Sequence, residues 1–198
     1  VAAPTDGSGV GDAAMFAKVV ERIRIGESYY RAMGTELRSG GYPTASLFNW
    51  REPALYVMLG SIPGWLAAVT MGVLCVSALG GIAGYLARHG SPEGTVVGVL
   101  ASATAAVTLA GPQGFWMTEA WSGLLIASSI GGYLWKRWML AACLGISALF
   151  VREIAAPYCI VCLWLAVKDG RRGEARIWLG GLTVFAGYYL LHAFAVSN

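Results

Sequence analysis

The chain has 198 residues, 57% of them hydrophobic and 13% charged, about half the charge of an ordinary soluble domain. Its 14 basic and 11 acidic residues leave a net charge of +3, too small and too scattered for a nucleic-acid partner. Uncharged runs cover residues 54–87, 94–118 and 177–198, long enough for transmembrane helices of about 20 residues. The expected fold class is therefore all-α: a polytopic transmembrane helix bundle with external amphipathic helices.

The first residue is Val, so the sequence reads as a processed or truncated product, and its start lacks the basic-then-apolar form of a signal peptide. Residues 1–11 are rich in Gly, Pro, Ser and Asp and read as a flexible end. From Asp12 to about Ile25, Met15, Val19, Val20 and Ile23 form a helical apolar stripe. A second short helix is expected over 28–38, stopped by Gly40-Gly41 and Pro43. Residues 1–53 carry six charges of each sign and form an interfacial or external amphipathic cap. From residue 54 to 198 the chain reads as the transmembrane bundle.

A short helix over 54–61 is interrupted by Pro63-Gly64. Membrane segments follow at 65–87, 94–111, 118–135, 138–151, 154–167 and 177–196, about six in all. Gly80-x-x-x-Gly84 and Gly94-x-x-x-Gly98 offer small faces for helix packing. Cys159 and Cys162 form a C-x-x-C inside an apolar run without nearby His or acid, which reads as small-residue packing rather than a metal or redox site.

Basic residues set the expected topology. Arg88 and His89, then Lys136 and Arg137, then Lys168, Arg171, Arg172 and Arg176 occupy alternate connections. The positive-inside rule makes those connections cytoplasmic and leaves residues 1–53 on the non-cytoplasmic side of a plasma or inner membrane. Residues 138–167 then form a hairpin, which keeps Lys136 and Lys168 on one side. Each arm of 14 residues spans about 21 Å at 1.5 Å per residue, short of the ~30 Å hydrocarbon core. The tip, Phe150-Val151-Arg152-Glu153, is expected below the outer surface. Charges at that depth mark a functional site or an ordering ion pair, Arg152 with Glu153 or with Glu119.

The ionisable residues facing outward are then Asp12, Arg51, Glu52, Glu119, Arg152, Glu153 and His192. Acids and arginines over an apolar bundle suit a ligand with a charged head and an apolar tail, because Arg forks grip phosphate and a carboxylate can take a hydroxyl proton. Asp12 equally suits a helix N-cap, Glu52 before Pro53 a helix start, and His192 a bundle residue. Tyr29, Tyr30, Trp50, Trp116 and Trp121 fit an interfacial aromatic belt as well as a sugar platform.

Gly11-Asp12-x-x-x-Phe16, Gly26-Glu27-Ser28-Tyr29-Tyr30, Phe48-Asn49-Trp50-Arg51-Glu52-Pro53, Thr118-Glu119 and Phe150-Val151-Arg152-Glu153 follow in that order. In this order the chain resembles the GT-C superfamily of membrane glycosyltransferases, which use polyprenyl-phosphate sugars as donors. The resemblance implies Asp12 as catalytic base and Arg152 as the holder of the lipid phosphate. It implies Glu119 orienting sugar hydroxyls or Arg152, with Arg51, Glu52 and Glu153 lining the cavity. The family carries a helix ahead of the Asp12 position, often paired acids there, and more helices after residue 196, so the chain reads as truncated.

The expected function is sugar transfer from a polyprenyl-phosphate donor to an acceptor hydroxyl on the outer face. The rival is a non-enzymatic GT-C-derived scaffold subunit of a larger membrane complex; a transporter is disfavoured because no inverted repeat is visible. Expected partners are the bilayer, the polyprenyl-phosphate-linked sugar and other membrane subunits. No cofactor and no metal site is expected, and a need for a divalent cation stays open.

Overall fold

The computed structural model describes residues 11–197, and these are built from helices and connecting turns. The expected flexible end lies, except for Gly11, outside the described residues. Ten α-helices follow in order: α1 (Asp12–Arg24), α2 (Tyr29–Ser39), α3 (Leu47–Trp50), α4 (Pro53–Ser61), α5 (Gly64–His89), α6 (Pro92–Leu109), α7 (Thr118–Leu134), α8 (Trp138–Val151), α9 (Ala156–Lys168) and α10 (Arg172–Ser197). Short 3-10 turns at Gly114–Trp116 and Glu153–Ala155 lead into α7 and α9.

Local chemistry accounts for the ends of the cap helices. Asp12 stands in the first turn of α1 and Arg22 and Arg24 in its last, matching the helix dipole. Gly26 and Gly41 take positive φ of 95° and 70° just past α1 and α2. At both, the following residue's N–H reaches back to the third-last helical carbonyl, Glu27 to Arg22 and Tyr42 to Leu37, which is the Schellman closure glycine permits.

The stripe of α1 is buried as Met15, Phe16, Val19 and Val20, packed in one core with Leu55, Tyr56 and Leu59 of α4. Phe16 stacks on Tyr56 at a centroid distance of 5.1 Å. That core continues into α5 through Ala67 and Met71 and into α7 through Ala120, Trp121 and Leu124. In the cap, ahead of the membrane segments, each large side chain buried this way contributes about 1.5–3 kcal/mol. A second core joins α7 to α8, α9 and α10 through Leu125, Leu149, Cys159, Trp178 and Phe185.

Helices α8 and α9 fold back on one another. Arg152, extended at φ −155° and ψ 123°, ends α8. Seven residues on either side of it, Cys159 Sγ lies 3.4 Å from the Gly145 carbonyl, and the Tyr158 ring also borders Gly145.

Three helices, α5, α6 and α10, are long and apolar enough to cross a membrane, with mean hydropathies of 2.1, 1.3 and 1.5. Their apolar side chains are mostly uncovered: Val69, Val73, Val76, Val97, Leu100, Leu190 and Leu191 are all exposed. Water does not tolerate so large an apolar surface on a monomer, whereas lipid does. The described residues form an all-helical membrane protein.

Close packing uses small residues, but not all those the spacing points to. Gly80 meets nothing within 4 Å, whereas a Cβ on its neighbour Gly81 would come within 2.9 Å of the Gly131 Cα. The contact face of α5 therefore runs through Gly81 and Gly84, the latter covered by the Trp135 ring. Replacing Gly81 by Val should force α5 and α7 apart and cost about 1–3 kcal/mol. Gly80→Ala should be neutral or slightly stabilising, because alanine is the better helix former. Thermal unfolding of the two variants in detergent checks the ranking; equal melting temperatures would contradict this packing.

Candidate functional site

The break between α8 and α9 brings charges from three places in the chain together, Arg51-Glu52, Glu119 and Arg152-Glu153. Arg152 is only 8% exposed. Its Nη2 lies 3.4 Å from Glu119 Oε1 and its Nη1 3.3 Å from Glu153 Oε2. Glu119 stands in the first turn of α7, where the helix dipole favours its charge, and the Thr118 hydroxyl donates to it at 3.1 Å. The same Glu119 oxygen lies 3.3 Å from Arg51 Nη2, so one carboxylate bridges two guanidinium groups.

Glu52, 1% exposed, completes the cluster. It precedes Pro53 at the start of α4, but its side chain does not cap that helix. Instead Oε1 accepts the backbone N–H of Glu153 at 3.0 Å, tying α4 to the hairpin tip. Burial pushes the Glu52 carboxyl above the usual carboxylate range, and the neighbouring Glu153 carboxyl pushes it further. For Glu153, burial also works upward, but the hydrogen bond with Glu52 and the charge of Arg152 outweigh it and hold this carboxyl below that range. The two shifts run in opposite directions, and Arg152 lies in ion-pair distance of Glu153 and Glu119.

Arg51 is strained. Its φ of 50° with ψ of 163° is a conformation that side-chain-bearing residues avoid, costing about 1–3 kcal/mol. The buried Tyr29 hydroxyl holds it there, donating to the Arg51 carbonyl at 2.8 Å and approaching the Trp50 carbonyl. The guanidinium lies over the Phe16 ring at 5.9 Å.

A cleft with a volume of about 10 Å³, enough for one water, lies at this cluster, lined by Phe48, Arg51, Glu52, Arg152, Glu153 and His192 among others. Arg152 Nε is buried without a hydrogen bond, and Arg152 Nη1 has only its ion pair with Glu153. Such atoms are costly when left unpaired. The arrangement can offer an incoming oxyanion the unbonded Nε–H of Arg152, with Nη1 available in exchange for its ion pair with Glu153.

A larger apolar groove of about 510 Å³ lies between α4, α5, α7 and α8. Ala54, Leu55, Trp121, Phe150 and Val151 are part of its lining, so it starts two residues from Glu52 and one from Arg152. Its hydroxyls are spent on their own helices, Thr70 to the Leu66 carbonyl and Ser147 to that of Cys143.

Of the residues picked out in the sequence, Arg51, Glu52, Glu119, Arg152 and Glu153 meet in this cluster. Both suggested ion pairs of Arg152 form. Asp12 does not line the cleft. It is exposed, and the Tyr42 hydroxyl donates to its Oδ1, which raises the pKa of that tyrosine. One helical turn on from Asp12 is Phe16, the ring beneath Arg51, so Asp12 stands on the cluster's side of α1. His192, assigned above to the bundle, is buried yet lines the cleft and pairs with the Tyr30 hydroxyl at 3.1 Å through Nδ1. The spacing of Tyr189 and His192 on one face of α10, with Tyr189 also on the cleft, was the available signal.

Cys159 and Cys162 are both free and buried in the second core. Among the described residues no group of His, Cys, Asp and Glu is arranged to hold a metal ion. Compared with family models, curated proteins and solved structures, the chain matches none.

The raised pKa of Glu52 makes stability depend on pH with a definite sign. A carboxyl that binds its proton more tightly when folded stabilises the fold fully below the unfolded pKa, about 4.3. That contribution is lost as pH rises from there through the folded value. Glu52→Gln, which fixes the neutral form, should flatten this loss and leave the variant more stable than the parent at alkaline pH. Melting curves across pH 4–9 (roughly the window implied by the linkage) test this; a variant that loses stability in parallel with the parent would refute it.

Proposed function

We propose that this chain is a GT-C-type membrane glycosyltransferase that moves a sugar from a polyprenyl-phosphate donor to an acceptor hydroxyl. The observation that carries the reading is Arg152, more than nine-tenths buried, with Nε free of any hydrogen bond and Nη1 held only by its ion pair with Glu153, one residue from Val151 in a 510 Å³ apolar groove. A phosphate head and a long apolar tail have complementary chemistry to that pair of features. The order of motifs around Asp12, Arg51-Glu52-Pro53, Thr118-Glu119 and Arg152 supports the same family.

In this reading the bundle threads the bilayer about six times, counting α8 and α9 as a short hairpin that enters and leaves on one side. The basic connections after α5, α7 and α9 put that side in the cytoplasm and the charged cluster at the outer face. Arg152, with Arg51 and Glu119 setting its position, holds the lipid phosphate. The acceptor oxygen attacks the anomeric carbon as the bond from that carbon to the phosphate oxygen breaks. Asp12 takes the acceptor's proton, and the bond's electrons leave with the polyprenyl phosphate, whose charge Arg152 balances. Inversion at the anomeric carbon follows from attack opposite the leaving group.

A second reading, a non-enzymatic scaffold of the same descent within a larger membrane complex, draws on one observation. Asp12 is engaged by Tyr42 outside a cleft of about 10 Å³, so cluster and acid do not share a cavity in this state.

Membranes containing the protein, supplied with a radiolabelled polyprenyl-phosphate sugar and their own acceptors, separate the two. Under the enzyme reading, Asp12→Asn and Arg152→Ala each lower transfer by at least about 10²-fold, the scale expected for general-base or oxyanion groups. Both variants should still insert. Undiminished transfer in either variant, or none in the parent, would remove the enzyme reading.

A further inference from the structure

The opposite end of the bundle carries a cleft that the sugar-transfer reading does not use. It has a volume of about 380 Å³ and is lined by Tyr85, Arg88, His89, Leu134, Trp135 and Lys136. Arg88 and His89 form the last turn of α5. Trp135 and Lys136 follow the end of α7, where Lys136 adopts the left-handed conformation at φ 58°. The Lys136 and Arg137 N–H groups bond back to the Tyr133 and Gly132 carbonyls, so the turn that presents this lysine is fixed.

The walls are aromatic and the rim is cationic. Arg88 lies over the Trp135 ring at 4.3 Å, and the Trp135 indole N–H donates to the Gly81 carbonyl at 3.2 Å, which sets the ring's orientation. Tyr85 and His89 stack at 4.4 Å. Among the described residues, no carboxylate lies within ion-pair distance of Arg88, His89 or Lys136. This contrasts with Arg171 on the same side of the bundle, which pairs with Asp169 and Glu174.

The surroundings are apolar. The cleft closes the end of α5, which has a mean hydropathy of 2.1. Just past Arg137, Trp138, Met139 and Leu140 are exposed at the start of α8. Tryptophan beside lysine and arginine at the end of an apolar helix marks the headgroup level of a bilayer, and basic pockets between membrane helices accept phosphate headgroups.

We propose that this cleft binds the phosphate-bearing headgroup of an anionic lipid. Arg88 and Lys136 carry the charge recognition, Trp135 and Tyr85 carry the glycerol and first methylenes, and the exposed α8 residues lie along an acyl chain. The shared chemistry is a phosphate anion, which free phosphate also offers. The aromatic walls and the exposed Met139 and Leu140 favour the lipid. The inference is independent of sugar transfer and stands whether or not the chain is an enzyme.

Purified protein in a neutral detergent, titrated with phosphatidylglycerol, phosphatidylcholine or inorganic phosphate, provides the test, read by melting temperature and by native mass spectrometry of retained lipid. Phosphatidylglycerol should bind and raise the melting temperature; the other two should not. Each neutralised cation should weaken that binding about fivefold, the scale for a Lys or Arg at a membrane surface, so Arg88→Gln with Lys136→Asn should weaken it more than tenfold. Should the double variant fail to fold, Lys136→Asn alone carries the test, because Asn tolerates the left-handed conformation. Binding of phosphatidylcholine or inorganic phosphate as tight as that of phosphatidylglycerol overturns the proposal. So does unchanged affinity in the folded variant, or no response to any lipid.

Discussion

A guanidinium moved out of water needs counter-charge, because the uncompensated penalty is several kcal/mol. Arg152 stands at the break between two short helices with 8% of its surface exposed, and its surroundings follow from that requirement. No single segment supplies the compensation. Glu153 comes from the hairpin tip and Glu119 from the first turn of α7, while Glu52, from the start of α4, fixes the tip's backbone. These contacts pin α4, α7 and the hairpin to one point, although the residues lie up to 101 positions apart. The core of α1, α4 and α7 side chains then packs around a fixed frame.

The same requirement bears on the strain at Arg51. A backbone at φ 50° is unfavourable for arginine, yet it brings this side chain to the Glu119 oxygen that also faces Arg152. The Tyr29 hydroxyl and the Phe16 ring supply the opposing interactions. Cap helices α1 and α2 thus each place one aromatic side chain against Arg51. The cap is packed into the site and does more than shield it, which gives its mixed charges and apolar stripe a common purpose.

Much of the helix pattern was legible because apolar periodicity and Gly or Pro punctuation are local signals. The hairpin arm at Trp138–Val151 and the short helix ending at Ser61 both follow from them. Helix α3, at four residues, is too short to show a period. The choice of Gly81 over Gly80 as the contact was hidden, since spacing identifies small residues but not which of two adjacent ones faces α7. Within the site, alternation of basic connections grouped Arg51, Glu119 and Arg152 on one end. That Glu52 would turn from its own helix to bond the Glu153 backbone was invisible, because it depends on tertiary approach. Asp12 shows the limit in the other direction: a motif placed it beside the cluster, and only the Tyr42 hydroxyl shows where its carboxylate points.

The two ends of the bundle treat arginine in opposite ways, and burial explains the difference. At Arg152 little water has access, so the chain must provide acids, and the unbonded Nε–H is a cost that an incoming oxyanion would relieve. At Arg88 the side chain is exposed and rests on Trp135, where solvation is nearly intact and no internal acid is required. A buried arginine with acids around it makes a selective site, since any ligand must improve on partners already present. An exposed one beside an aromatic ring and a second cation makes a permissive site, ready for whichever anion the membrane surface presents. Under the two proposals above, the buried end recognises one particular amphiphile and the exposed end the headgroup of an anionic lipid.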